Sequence, residues 1–140
     1  MSKKILVVDD EKMIRDLLRG YLVKLGYEIG EAADGEQAIK ELGREDFDLL
    51  ICDIEMPNKD GWQVVKEARS NPKTKDIPVI ILTGKSEEDD IVKGYELGTT
   101  FYITKPFTKA QLLYGIKLVL GENSNATGQT DLSRQYNDDH

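Results

Sequence analysis

Short apolar runs alternate with amphipathic stretches along most of the chain. Ile5-Leu6-Val7-Val8 is a run with no polar interruption and reads as a strand buried on both faces. After Asp9-Asp10-Glu11, the residues Ile14, Leu17, Leu18, Tyr21, Leu22 and Leu25 recur at spacings of three and four. They predict a helix that stops at Gly26. Tyr27 to Ala32 reads as a short strand with Ile29 inward. Asp34 caps a helix through Ala38, Ile39 and Leu42, with Gln37 as its capping-box partner and Gly43 at its close. Phe47 to Glu55 is the next strand, with Leu49-Leu50-Ile51-Cys52 running straight into Asp53. It must stop there, because Pro57 cannot donate to a ladder and Asn58, Lys59, Asp60 and Gly61 are turn formers.

Trp62, Val65 and Ala68 mark a third helix, to about Ser70. Asn71-Pro72 and Ile77-Pro78 bracket a loop, and Val79-Ile80-Ile81-Leu82 is a further buried strand ending at Thr83-Gly84-Lys85. Ser86 with Asp89 opens a helix through Ile91, Val92 and Tyr95, which Gly94 weakens by about 1 kcal/mol. Phe101-Tyr102-Ile103 is the last strand, followed by Thr104-Lys105-Pro106. Thr108 and Gln111 then open a helix striped by Leu112, Leu113, Ile116, Val119 and Leu120 and ended by Gly121. Five strands alternating with five helices define an α/β fold with a parallel sheet covered on both faces. Right-handed crossovers favour the doubly wound, flavodoxin-like order 2-1-3-4-5. Residues 1–121 read as one domain. Residues 122–140 turn to Asn, Asp, Gln, Ser, Thr and Gly and read as a flexible polar tail or linker.

Composition narrows the chemistry. A chain of 140 residues with 39% hydrophobic and 32% charged content suits one soluble domain. No apolar run approaches a membrane span or a signal peptide, so a cytoplasmic protein is expected. A net charge of −7 argues against direct nucleic-acid binding and favours a cation or a basic partner surface. Cys52, the only cysteine, excludes an intrachain disulfide. The only histidine is His140, the last residue, so any histidine chemistry must come from another protein.

Four strand ends carry polar groups: Asp9-Asp10, Asp53, Thr83 and Lys105. A parallel sheet brings all of them to one edge, where ligands of open α/β sheets bind. Each has an ordinary explanation alone, as an N-cap, a loop hydroxyl or a solvated lysine. Together they make a crevice in which three carboxylates repel one another until a hard cation enters. Magnesium suits such a set, and Lys105 would supply a point charge for a phosphate. An EF-hand loop is excluded by Pro57 and Asn58.

These motifs resemble those of the receiver domain of two-component response regulators: Ile5-Leu6-Val7-Val8-Asp9-Asp10-Glu11, Asp53 with Met56-Pro57 and Gly61, Thr83, and Lys105-Pro106-Phe107. The resemblance spans Lys3 to Gly121. It implies that Asp53 takes a phosphoryl group from a phosphohistidine on a sensor histidine kinase or phosphotransfer protein. Asp10 would bind Mg2+ directly, Asp9 mainly through water, and Glu55 through its backbone carbonyl. Lys105 would pair with the phosphoryl group, Thr83 would hydrogen-bond it, and Tyr102 would be the aromatic switch. The Lys105-Pro106 bond would be cis.

The resemblance further implies that Glu55 and Lys85 tune the lifetime of the phosphoryl group, and their opposite charges predict an ion pair. The surface of the fourth helix, last strand and fifth helix would face a downstream protein target or an output domain. Such a domain catalyses its own phosphorylation and dephosphorylation without multiple turnover. Gly84 stands where the family usually has alanine. An aspartate-nucleophile phosphatase on a related fold is the alternative. It wants a second aspartate where Glu55 stands, and a cap domain. A flavin protein of the same topology would want a hydroxyl- and glycine-rich loop where Asp9-Asp10-Glu11 stands.

Overall fold

The computed structural model describes residues 2–84, 96, 98 and 101–121. Nine elements follow in order: β1 (Lys4–Val8), α1 (Lys12–Val23), β2 (Glu28–Ala32), α2 (Gly35–Arg44), β3 (Leu49–Asp53), α3 (Gly61–Ser70), β4 (Val79–Thr83), β5 (Phe101–Thr104) and α4 (Lys109–Leu120). The strands form one parallel sheet in the order β2-β1-β3-β4-β5. The helix expected from Ser86 through Tyr95 lies outside the described residues.

Both faces of the sheet are covered, so the strands read as unbroken apolar runs rather than alternating ones. The alternation survives in where the side chains go. Leu6, Val8, Leu50, Cys52, Val79 and Ile81 pack with Ala38, Leu42, Trp62 and Val65 of α2 and α3. Ile5, Val7, Leu49, Ile51, Ile80 and Leu82 pack with Leu18, Leu22, Leu112 and Ile116 of α1 and α4. Capping is local and explicit. Asp60 with Gln63 and Thr108 with Gln111 form reciprocal capping boxes, and the Asp34 carboxylate accepts from the Gln37 N–H.

Several boundaries differ from the sequence reading. α1 ends at Val23, and a turn leads to Gly26 at φ +92°. Leu25 therefore leaves the stripe and is 48% exposed, and Leu17 on the rim of α1 is 40% exposed. The third strand is Leu49–Asp53, shorter than Phe47–Glu55 at both ends; beyond it the Ile54 carbonyl accepts from the Gly61 N–H of the loop rather than from a neighbouring strand. β2 starts at Glu28 rather than Tyr27, β5 runs one residue further to Thr104, and α2 runs to Arg44. Val64 of α3 is fully buried beside Val65, so that helix hides a wider face than Trp62, Val65 and Ala68 alone predict.

Candidate functional site

Parallel register delivers the polar residues to one edge. Val8 pairs with Cys52, Asp53 with Leu82, and Thr83 with Thr104, so Asp9, Asp53, Thr83 and Lys105 all emerge at the carboxyl ends of adjacent strands. The Lys105 N–H donates to the Thr83 carbonyl at 2.6 Å, and the Lys105-Pro106 peptide is cis. Asp9, Asp53 and Thr83 are buried, whereas Asp10 is exposed at the mouth.

The carboxylates of Asp9, Asp10 and Asp53 each place an oxygen within 4.8 Å of the others. The Lys105 ammonium lies 2.9 Å from Asp9 Oδ2, 3.4 Å from Asp53 Oδ1 and 3.6 Å from Glu11 Oε2. Asp9 Oδ1 accepts from the Glu11 N–H at 2.9 Å, which leaves Asp9 tied on both oxygens. Burial raises the Asp53 pKa, the charge of Asp9 adds to this, and Lys105 opposes it; the result is about 6. Burial works against the charge of Lys105. The hydrogen bond to Asp9 and the charges of Asp53, Asp9 and Glu11 outweigh it, and its pKa is raised. Cys52, just behind Asp53, is a buried thiol pushed upward chiefly by desolvation, which keeps it inert.

The loop after β3 is shaped around the site. Ile54 N–H donates to the Leu82 carbonyl, Gly61 N–H donates to the Ile54 carbonyl at 2.9 Å, and Asn58 sits at φ +67°. Glu55 is exposed, and its Oε1 lies 3.9 Å from where a Cβ on Gly84 would stand, so its side chain leans toward the end of β4. Its expected partner Lys85 lies outside the described residues. Tyr102 is half-buried against the α2/α3 side of the core and lines a cleft with Phe101, Gln111 and Tyr114.

Two neighbours escape the sequence reading. Glu11 stands within ion-pair distance of Lys105, and the Arg15 guanidinium donates to the Asp9 carbonyl at 2.7 Å. Glu11 is visible in the sequence as a third acid after Asp9-Asp10. Nothing in local spacing singles out Arg15 among the charged residues of α1.

Three oxygens from three carboxylates, one of them open to solvent, fit a small hard cation that keeps several waters. With the Lys105 ammonium against two of them, the set can hold a cation and a phosphoryl group together. The family model for the response regulator receiver domain matches residues 5–117, and the chain belongs to that family. Two Bacillus subtilis proteins are similar. The alkaline phosphatase synthesis transcriptional regulatory protein PhoP is 39% identical over 132 residues, covering 94% of this chain and 54% of its own. The transcriptional regulatory protein ResD is 42% identical over 124 residues, covering 89% and 50%. The chain thus spans about half the length of these curated relatives.

Among solved structures, the chemotaxis protein CheY4 of Vibrio cholerae matches with a TM-score of 0.82 at 33% identity, over 85% of this chain and 99% of that one. The receiver domain of the sensor histidine kinase PA1611 of Pseudomonas aeruginosa, solved with magnesium coordinated in its active-site cleft, matches with a TM-score of 0.79 at 28% identity. The match covers 86% of this chain and 99% of that one. Receiver domains generally bind magnesium in their acidic pocket, and they interact with histidine kinases and output domains. No helix among the described residues is long and apolar enough to cross a membrane.

Proposed function

We propose that Asp53 is the phosphoacceptor and that Asp9, Asp10, Asp53 and the Glu55 carbonyl form the magnesium site. The observation that carries this is the Lys105 ammonium 3.4 Å from the buried Asp53 carboxylate, with Asp9 and Asp10 closing the cluster. In the transfer, an Asp53 oxygen forms a bond to phosphorus as the bond from a partner's histidine nitrogen breaks. The chain supplies position and charge rather than further covalent chemistry. Lys105 meets the charge carried in by the phosphoryl oxygens, and the cis-linked Pro106 follows it directly. When bound, magnesium neutralises the same oxygens. The product is an acyl phosphate, so the mark is temporary. The donor is a histidine kinase or phosphotransfer protein, since the chain's own His140 lies outside residues 5–117.

Incubation with acetyl phosphate and magnesium is expected to add one phosphoryl group, read by intact mass. Asp53→Asn or a chelator is expected to abolish it. Label persisting in either case would overturn the assignment.

Thr83 and Tyr102 are the switch in this reading. Thr83 ends β4 beside the acceptor, and Tyr102 lies one strand further along. A phosphoryl group that captures the Thr83 hydroxyl shifts a two-state equilibrium in which Tyr102 turns inward. Amide shifts on adding beryllofluoride, a phosphoryl mimic, are expected between Thr83 and Leu120. Shifts confined to the Asp53 loop would count against it. Glu55, with Lys85, is proposed to tune hydrolysis. Residues 122–140 are proposed as a polar tail or linker beyond the receiver fold, and the protein as cytoplasmic. The output is proposed as a protein target or a further domain, and the longer chains of the two transcriptional regulators support the latter.

A further inference from the structure

We propose that Arg15, held by Glu31, is a positioning residue that sets the affinity of the acidic cluster for a divalent cation. This rests on the reading of that cluster as a magnesium site. Arg15 lies in the first turns of α1, and its side chain is only 15% exposed. Its Nη1 donates to the Asp9 carbonyl at 2.7 Å, and its Nε donates to Glu31 Oε1 at 3.3 Å. Glu31 sits on β2 in register with Val7, and its other oxygen accepts from Arg19. The Asp9 N–H donates to the Ala32 carbonyl on the same strand. Asp9 is therefore tied to β2 on both sides, directly through its N–H and through the Arg15–Glu31 pair at its carbonyl.

The carbonyl that Arg15 holds belongs to the peptide joining Asp9 to Asp10. Its orientation sets where both carboxylates point. Their mutual repulsion pushes them apart, and the cluster needs them within reach of one cation. A fixed carbonyl at that peptide resists the splaying. Charge alone predicts the reverse effect. A guanidinium beside a cation site repels the cation, so removing it would tighten binding about two- to threefold through screened electrostatics. The direction of the change separates the two.

The test is calorimetric titration of the full chain with magnesium chloride, without phosphodonor. Arg15→Ala is expected to raise the Kd about tenfold, as loss of a group supporting metal ligands does. Arg15→Lys keeps the charge but not the two-armed geometry and is expected to fall between. If Glu31 acts through Arg15, adding Glu31→Gln to Arg15→Ala changes nothing further. Phosphorylation by acetyl phosphate should need more magnesium in Arg15→Ala yet recover the wild-type rate at saturation, which a general loss of stability would not produce. An unchanged or lower Kd in folded Arg15→Ala overturns the proposal. Should that variant not fold, an unchanged Kd in both Arg15→Lys and Glu31→Gln overturns it equally. Absence of magnesium binding by the wild type would remove the reading of the site and this inference with it.

Discussion

Asp53→Asn is expected to melt at a higher temperature than the wild type at pH 7.5 in the presence of a chelator. Asp53 is 4% exposed, and burial together with Asp9 raises its pKa to about 6 from an ordinary 3.8. A carboxyl that holds its proton more tightly when folded loses folding free energy as it ionises. The loss begins as the pH rises past the unfolded value near 4 and is complete above about 6. Roughly two pKa units correspond to about 3 kcal/mol. Asparagine has no charge to bury, and the attraction of Lys105 is already contained in the value of about 6. An amide replaces the hydrogen bonds of the carboxyl group imperfectly, so a net gain of about 1–2 kcal/mol is expected. That amounts to roughly 3–10 °C in Tm for a domain of this size.

The advantage should shrink as the pH falls from about 6 to about 4, where the wild-type carboxyl is protonated. It should also shrink, or reverse, in saturating magnesium, which stabilises the wild type by mass action. A variant less stable than wild type under chelation at pH 7.5, or a difference that ignores pH, would show that Asp53 is comfortable where it stands.

Much of this site is legible in the order of residues alone, and the reason is topological. A parallel sheet sends every strand's carboxyl end to one edge, so a residue that terminates an apolar run is placed by its run alone. Asp9, Asp53, Thr83 and Lys105 are legible in that way. Helix faces are less so. The stripe of α1 holds Leu17 at correct spacing, yet only what packs against the helix decides how wide its buried face is, and Leu17 lies on the rim, while Leu25 falls beyond the helix end at Val23. Arg15 is illegible for a different reason. Its partners are a backbone carbonyl before the helix and a carboxylate on β2, and neither follows from periodicity. Gly61 looks in the sequence like one more turn former, whereas its role is a close approach between two backbones.

That approach gives the last expected result. A Cβ on Gly61 would stand 2.3 Å from the Asp53 carbonyl oxygen and 2.8 Å from the Ile54 Cα. Both obstacles are backbone, so no side chain can turn aside, and the start of α3 has to move away from the end of β3. The same shift stretches the Gly61 N–H contact to the Ile54 carbonyl that closes the loop. Gly61→Ala is expected to lose about 3 kcal/mol, the upper part of the range for overpacking. Because the strain falls on the strand end that carries the acceptor, phosphorylation by acetyl phosphate should slow by up to about 100-fold even where the protein remains folded. Gly20 provides the contrast. It lies within α1, and a Cβ there would meet nothing within 4 Å, so Gly20→Ala should gain about 1 kcal/mol from helix propensity and leave phosphorylation unchanged. Denaturant melts of the two variants, run beside the phosphorylation assay, read both effects. If Gly61→Ala melts within about 0.5 kcal/mol of the wild type, the spread expected of a neutral surface change, then the contact between α3 and the end of β3 does not constrain Asp53.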